Sequence, residues 1–280
     1  MRQIFQLRFF SLLLLVVCLP GGLLGVIGPE HREGPVRMSL VLPASGVAPN
    51  STVWIGWWIQ RKEGWHTYWK HPGNVGLTPH LEWELPQGIE VGELQFPHPQ
   101  RVQMAGVKAY GHHGETIYLA QLKTADLHVE QEVVLRAKAR WMVCSHVCLP
   151  QYNELTISLP VVNAPEPDPQ WEARFAEFLQ DRPLPLPSAW EMQAKELGQF
   201  TKLTISNAPD LSGKELYFFG GSYLVCSDAE QKIRNQGSTT EMLLPKPTWP
   251  EENPTHLHGM LRVINEDGKT RHYPLKVPLN

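Results

Sequence analysis

Met142, Cys144, His146 and Cys148 alternate within the segment Arg140-Trp141-Met142-Val143-Cys144-Ser145-His146-Val147-Cys148-Leu149-Pro150. Two cysteines this close admit three chemistries. They can exchange disulfides with a partner, form a static bridge, or join Met142 and His146 as soft ligands for copper or zinc. A c-type haem site is disfavoured, because Leu149 rather than histidine follows Cys148. Geometry limits the first two. On a straight strand the two cysteines would lie about 13 Å apart, at roughly 3.3 Å per residue, whereas a disulfide needs Cα atoms within about 7 Å. Either the chain turns at 145–147 or no bond forms. Leu149-Pro150 and a new strand after Asn153 favour the turn.

Parity gives a direction. Leu135, Ala137, Ala139, Trp141 and Val143 alternate as one apolar face, and Cys144 shares parity with Arg136, Lys138 and Arg140. Cys144 is therefore expected to point away from the core, partly exposed and near cationic side chains, as exchanging disulfides do. A bridge closing so short a loop restricts the unfolded chain little, which weakens the static reading. Ligands strung along an extended strand do not wrap an ion, which weakens the metal reading.

Other residues qualify as modulators. His146, inside the ring, favours a thiolate or simply faces solvent. Tyr110, His112 and His113 lie in a Gly-flanked stretch, read as a loop that covers the cysteines or as a polar turn. Cys226 follows Tyr223-Leu224-Val225 and reads as a buried, inert thiol at a strand end. His256 and His258 flank Leu257 in a strand with no third ligand in view. Asn50-Ser51-Thr52 is a glycosylation sequon, a weak signal alone. Six of the ten tryptophans fall between Trp54 and Trp83, mostly as core, with a docking surface near the cysteines as the alternative.

The elements that must position these residues are short strands. The 280-residue chain suits two domains, and 42% hydrophobic against 19% charged residues excludes wholesale disorder. A net charge of −3 argues against nucleic acid as a partner. Alternating stretches at 36–42, 53–59, 135–143 and 155–159, with shorter runs at 81–85, 89–96 and 115–122, predict an antiparallel β-sandwich spanning 29–163. Residues 164–187 form a Pro-rich linker, with Asp168-Pro169 opening a helix on which Trp171, Phe175 and Phe178 share a face. Stretches at 202–206, 215–219, 223–226, 240–244, 257–264 and 273–277 predict a smaller sandwich over 188–280. The fold class is thus all-β, two tandem immunoglobulin-like sandwiches joined by a short helical linker.

Residues 1–25 read as a signal peptide: Arg2 and Arg8 precede an apolar run at 9–19, and Pro20-Gly21-Gly22 breaks it, with cleavage expected between 22 and 28. The alternative is an uncleaved anchor, since 9–27 nearly spans a bilayer. Cys18 follows Val17, which is bulkier than lipidation prefers. No later stretch reaches the roughly 20 apolar residues of a membrane span, so the mature chain is expected to be exported without one.

Three blocks resemble a known family. Trp141-Met142-Val143-Cys144 and Cys148-Leu149-Pro150, three residues apart, are similar to the cysteine signature of the DsbD N-terminal (alpha) domain family of thiol:disulfide interchange proteins. Within that family the likeness is to the N-terminal region of ScsB-like membrane reductases. Gly64-Trp65-His66-Thr67-Tyr68-Trp69-Lys70-His71-Pro72-Gly73 and Tyr110-Gly111-His112-His113-Gly114-Glu115 match two further blocks of that branch, the whole covering about 36–162. The resemblance implies a periplasmic domain that carries electrons from a membrane donor of the DsbD/CcdA type to periplasmic thiol–disulfide proteins. It implies that Cys148 attacks the partner disulfide and Cys144 resolves. The three-residue spacing is shorter than in the best-studied members of that family. The chain ends at Asn280 without an electron carrier or thioredoxin-like domain, so the reductant is expected from a separate protein. No cofactor is required by this reading.

Overall fold

The computed structural model describes residues 25–180, 182–221, 223–250 and 253–280. The expected leader, apart from Gly25, and Cys18 lie outside the described residues. Among those described, no helix is long and apolar enough to cross a membrane.

The N-terminal strands are β1 (Val26–Ile27), β2 (His31–Glu33), β3 (Val36–Leu42), β4 (Thr52–Arg61), β5 (His66–Tyr68), β6 (His80–Glu84), β7 (Ile89–Val91), β8 (Gln100–Met104), β9 (Val107–His113), β10 (Glu115–Thr124), β11 (Glu132–Cys144) and β12 (Cys148–Pro160). They form two antiparallel sheets. One runs β1-β3-β4-β10-β7 with β2 on β3, the other β12-β11-β5-β9-β8 with β6 on β11. Alternation places Met38, Leu40, Ile55, Trp57 and Ile59 from the first sheet against Leu135, Ala137, Trp141, Leu155 and Ile157 from the second.

The linker helix, α1 (Pro169–Gln180), belongs to this sandwich as a third layer. Asp168 caps it, its Oδ1 accepting from the Gln170 and Trp171 amides at 2.9 and 3.0 Å, and Pro169 occupies the position where an amide would go unused. Trp171 and Phe175 pack on Val41, Trp58, Ile117 and Leu119, on the outer face of the first sheet. This explains why Trp57 and Trp58 are both buried although neighbours on a strand point to opposite faces. Gly56 makes the approach possible: a Cβ there would come within 2.7 Å of both Ile117 and Phe175. Burial of two such aromatic side chains is worth roughly 2–3 kcal/mol each.

The C-terminal strands are β13 (Glu191–Leu197), β14 (Phe200–Ser206), β15 (Glu215–Gly220), β16 (Lys232–Gln236), β17 (Thr239–Pro245), β18 (His256–Ile264) and β19 (Thr270–Pro278). Sheets β13-β14-β17-β16 and β15-β18-β19 enclose Leu203, Ile205, Phe218, Met242, Leu261 and Leu275.

Four expectations are corrected. Residues 223–226 form a turn rather than a strand, with Tyr223 at φ 60°. The stretch 89–96 is extended strand only as β7, followed by an isolated bridge of Gln95 to Leu119. The sequence Tyr110-Gly111-His112-His113 belongs to β9, not to a loop. The strand after the cysteines starts at Cys148 itself, because Leu149 and Pro150 already pair with Val143 and Met142.

Candidate functional site

Strands β11 and β12 pair along their full length, from Glu132 opposite Pro160 to Cys144 opposite Cys148. The loop at 145–147 turns the chain back, closed by a hydrogen bond from the Ser145 amide to the Val147 carbonyl at 3.0 Å. Facing one another across the last rung, the cysteines have Cα atoms 4.2 Å apart and are joined as a disulfide. The expected turn is present.

The expected exposure is not. Cys144 does face away from Val143 and the main core, as parity requires, but it is fully buried. A second apolar layer covers it: Tyr68 from β5, Val102 from β8 and Ala109 from β9, flanked by Val75, Met104 and Met142. Parity along one strand reports the face, while the cover comes from segments 35–76 residues upstream. Cys148 is half-buried and ends the cluster on the solvent side.

Tyr68 is the residue that sequence reasoning missed. Its hydroxyl donates to Cys144 Sγ at 3.1 Å and lies 3.8 Å from Cys148 Sγ. Burial raises its pKa to about 12, so it keeps its proton at neutral pH. The signal was present: Tyr68 lies inside a block carrying the resemblance, two residues from the buried His66.

Strand β5 is only three residues long and is held on three sides. Thr67 pairs with Val143 and with His112, and His66 with Cys144 and His113. From the core side, buried Arg61 donates to Thr67 Oγ1 through Nε (2.8 Å) and Nη2 (2.6 Å), and also to Thr116, Tyr118 and the Gly114 carbonyl. All these acceptors are neutral, and desolvation lowers the Arg61 pKa. His66, edge-on to Tyr68 with ring centres 5.3 Å apart, is lowered to about 4 by burial, then by His113 and Arg61. His112, buried with Nε2 on the Pro97 and His98 carbonyls, is lowered to about 3 by burial and then by Arg61. Both imidazoles are therefore neutral supports of the strand carrying Tyr68.

The remaining candidates separate. His146 is exposed at the hairpin tip, and among the described residues no hydrogen bond ties it to either sulfur. His113 is exposed, its Nδ1 3.2 Å from the Trp65 carbonyl. Tyr110 is fully buried against Trp69, Tyr217, Phe219 and Met260, on the seam with the C-terminal sandwich. Cys226 is neither on a strand nor fully buried: it is half-exposed in the 223–228 turn, where Asn74 Nδ2 donates to its sulfur at 3.1 Å. His258 on β18 faces His71 across the seam, ring centres 5.5 Å apart. Among the described residues no three His, Cys, Asp or Glu side chains gather as a metal site. Asn50 of the sequon is exposed and bonded to Asp126.

Residues 39–160 match the family model described as "Thiol:disulfide interchange protein DsbD, N-terminal". The resemblance read from the sequence holds over that segment, which contains both cysteines and Tyr68. Among solved structures, the N-terminal periplasmic domain of ScsB from Proteus mirabilis matches with TM-score 0.63 and 17% identity, over 91% of this chain and 100% of that one. This likeness shows the shared two-sandwich fold. The human Desmocollin-1 ectodomain (11% identity, 84% of this chain and 34% of that one, TM-score 0.20) and the periplasmic chaperone SfaE (9%, 86% and 100%, TM-score 0.22) match too distantly to inform the argument. No curated protein matches the chain.

Proposed function

We propose that this chain is a periplasmic thiol:disulfide interchange protein that passes reducing equivalents to partner proteins through Cys144 and Cys148. One observation carries the reading. The two cysteines of a single short-loop disulfide differ, one fully buried beside a tyrosine hydroxyl and the other half-buried at the edge of the cluster. A static staple needs no such difference, whereas exchange does.

In this reading a thiolate of the electron donor attacks Cys148 Sγ, at the edge of the cluster, and the S–S bond breaks towards Cys144. Tyr68 donates its hydrogen bond to the departing Cys144 thiolate, which otherwise forms in an apolar pocket. The donor's second thiol then displaces Cys148, leaving the donor oxidised and this chain with two thiols after uptake of two electrons and two protons. In the second half-cycle the Cys148 thiolate attacks the acceptor's disulfide. Cys144 then displaces the acceptor from the mixed disulfide, restoring the Cys144–Cys148 bond and releasing a reduced acceptor. The donor is a membrane protein of the DsbD/CcdA type and the acceptors are periplasmic thiol–disulfide proteins. Residues 29–163 with the packed helix α1 form the redox unit, the rest of 164–187 the connector, and 188–280 a docking or spacing unit.

The test is reductase activity of the full chain towards a protein disulfide in a Cys226→Ser background. Cys144→Ser and Cys148→Ser are each expected to abolish turnover with the fold intact by circular dichroism. Full turnover in either variant contradicts the dithiol mechanism.

A further inference from the structure

Two segments cover the disulfide, and both are fastened from behind by the same turn of the C-terminal sandwich. The first is the loop 73–76, whose Val75 packs on the sulfur cluster and whose Gly76, at φ +109°, lies so close to the Tyr68 ring that a Cβ would come within 2.2 Å of it. The second is the β8–β9 hairpin. It contributes Val102, Met104 and Ala109 and closes through Ala105 and Gly106, both at positive φ as a tight two-residue hairpin turn requires.

The fastening residues are Cys226, Ser227 and Asp228. Ser227 is fully buried; its Oγ accepts from the Asn74 amide at 3.0 Å and donates to the Lys108 carbonyl at 2.8 Å. The Ser227 amide donates to Asn74 Oδ1 at 3.2 Å, and Asn74 Nδ2 donates to Cys226 Sγ at 3.1 Å. Asp228 Oδ1 accepts from the Lys108 amide at 2.9 Å. Gly73 lets the turn close in: a Cβ there would lie 2.4 Å from Ser227 Oγ. Hydrogen bonds from three consecutive residues thus hold both parts of the cover.

We propose that the 226–228 turn is a latch: it holds the 73–76 loop and the β8–β9 hairpin over the buried side of the Cys144–Cys148 disulfide, and its release widens a partner's approach to the half-buried Cys148. Attack on a disulfide sulfur needs an approach path, and the cover sets that path. The C-terminal sandwich therefore controls access to the redox pair as well as spacing it. The use of the latch rests on the proposed exchange function, but its existence does not.

The experiment uses the full chain and tris(2-carboxyethyl)phosphine, a small reductant that needs no partner. Reduction is stopped by alkylation, and intact mass counts the two further labels taken up as Cys144 and Cys148 are reduced. Asp228 is exposed, so Asp228→Ala keeps the fold. It is expected to raise the reduction rate at least five-fold, and Ser227→Ala further. Asp228→Asn, which retains an acceptor for Lys108, returns the rate to within two-fold of the parent, as does the exposed control Glu230→Ala. An unchanged rate in Asp228→Ala, or a rise that Asp228→Asn does not reverse, overturns the latch. Loss of the exchange function would leave this readout intact, so the two proposals fail separately.

Discussion

The two sandwiches are built alike and equipped differently. Each encloses one alternating apolar core between antiparallel sheets. The N-terminal one adds two outer layers, α1 on one sheet and the Tyr68–Val102–Ala109 cluster on the other, and its cysteine pair lies under the second of these. Among the described residues, the C-terminal sandwich has no outer layer of that kind over its single cysteine, which sits half-exposed in a turn. The contrast teaches that sheet topology alone does not set a cysteine's surroundings here. The extra apolar layer gives one sulfur a buried, hydroxyl-partnered environment and leaves its neighbour at the edge.

The largest expected effect tests this contrast between cysteines. Replacing Cys144 or Cys148 by serine is expected to lower disulfide-reductase turnover at least a hundredfold, while Cys226→Ser lowers it less than twofold. Equal losses at all three positions would erase the distinction between the sandwiches. Next comes the helical layer. Trp171→Ala removes a buried aromatic side chain, and a loss of about 3–5 kcal/mol is expected from urea denaturation of the full chain. A loss under 1 kcal/mol would make α1 a connector rather than part of the sandwich.

The tyrosine gives a smaller effect. Tyr68→Phe preserves the ring and removes the donor to Cys144, so stopped-flow exchange with a dithiol is expected to slow about tenfold, equivalent to about 1.4 kcal/mol. An unchanged rate would reduce Tyr68 to packing. The smallest effect concerns pH. His66 and His112 titrate near 4 and 3 when folded and near 6.5 when unfolded. Between these values the unfolded chain binds more protons, so the stability they contribute is full above about pH 6.5 and falls as the pH drops towards 4 and then 3. Urea midpoints measured from pH 7 to pH 4.5 are expected to show a shallower slope for His112→Asn than for the parent chain; identical slopes would place protonation elsewhere.

Much of this was legible in the sequence because it is local. Alternation located β3, β4, β11 and most of the C-terminal strands, Asp168-Pro169 announced the start of α1, and Leu149-Pro150 favoured the turn at 145–147. The cover over Cys144 was not legible, because Val102 and Ala109 alternate with polar residues on short strands and meet the disulfide only through the pairing of β5, β9 and β8. Residues 223–226 read as a strand from their apolar content, yet positive φ at Tyr223 and the pull of Ser227 towards Asn74 and Lys108 make them a turn. Long-range contact decided both cases.

The central claim is that Cys148 meets the partner and Cys144 resolves, because Cys144 is buried under Tyr68 while Cys148 stands at the edge of the cluster. Mass spectrometry of covalent complexes tests it directly, using Cys144→Ser and Cys148→Ser in the Cys226→Ser background, each incubated with an oxidised protein substrate. The account predicts that Cys144→Ser accumulates a mixed disulfide through Cys148 and that Cys148→Ser accumulates little. A stable adduct joining the partner to Cys144 would contradict it.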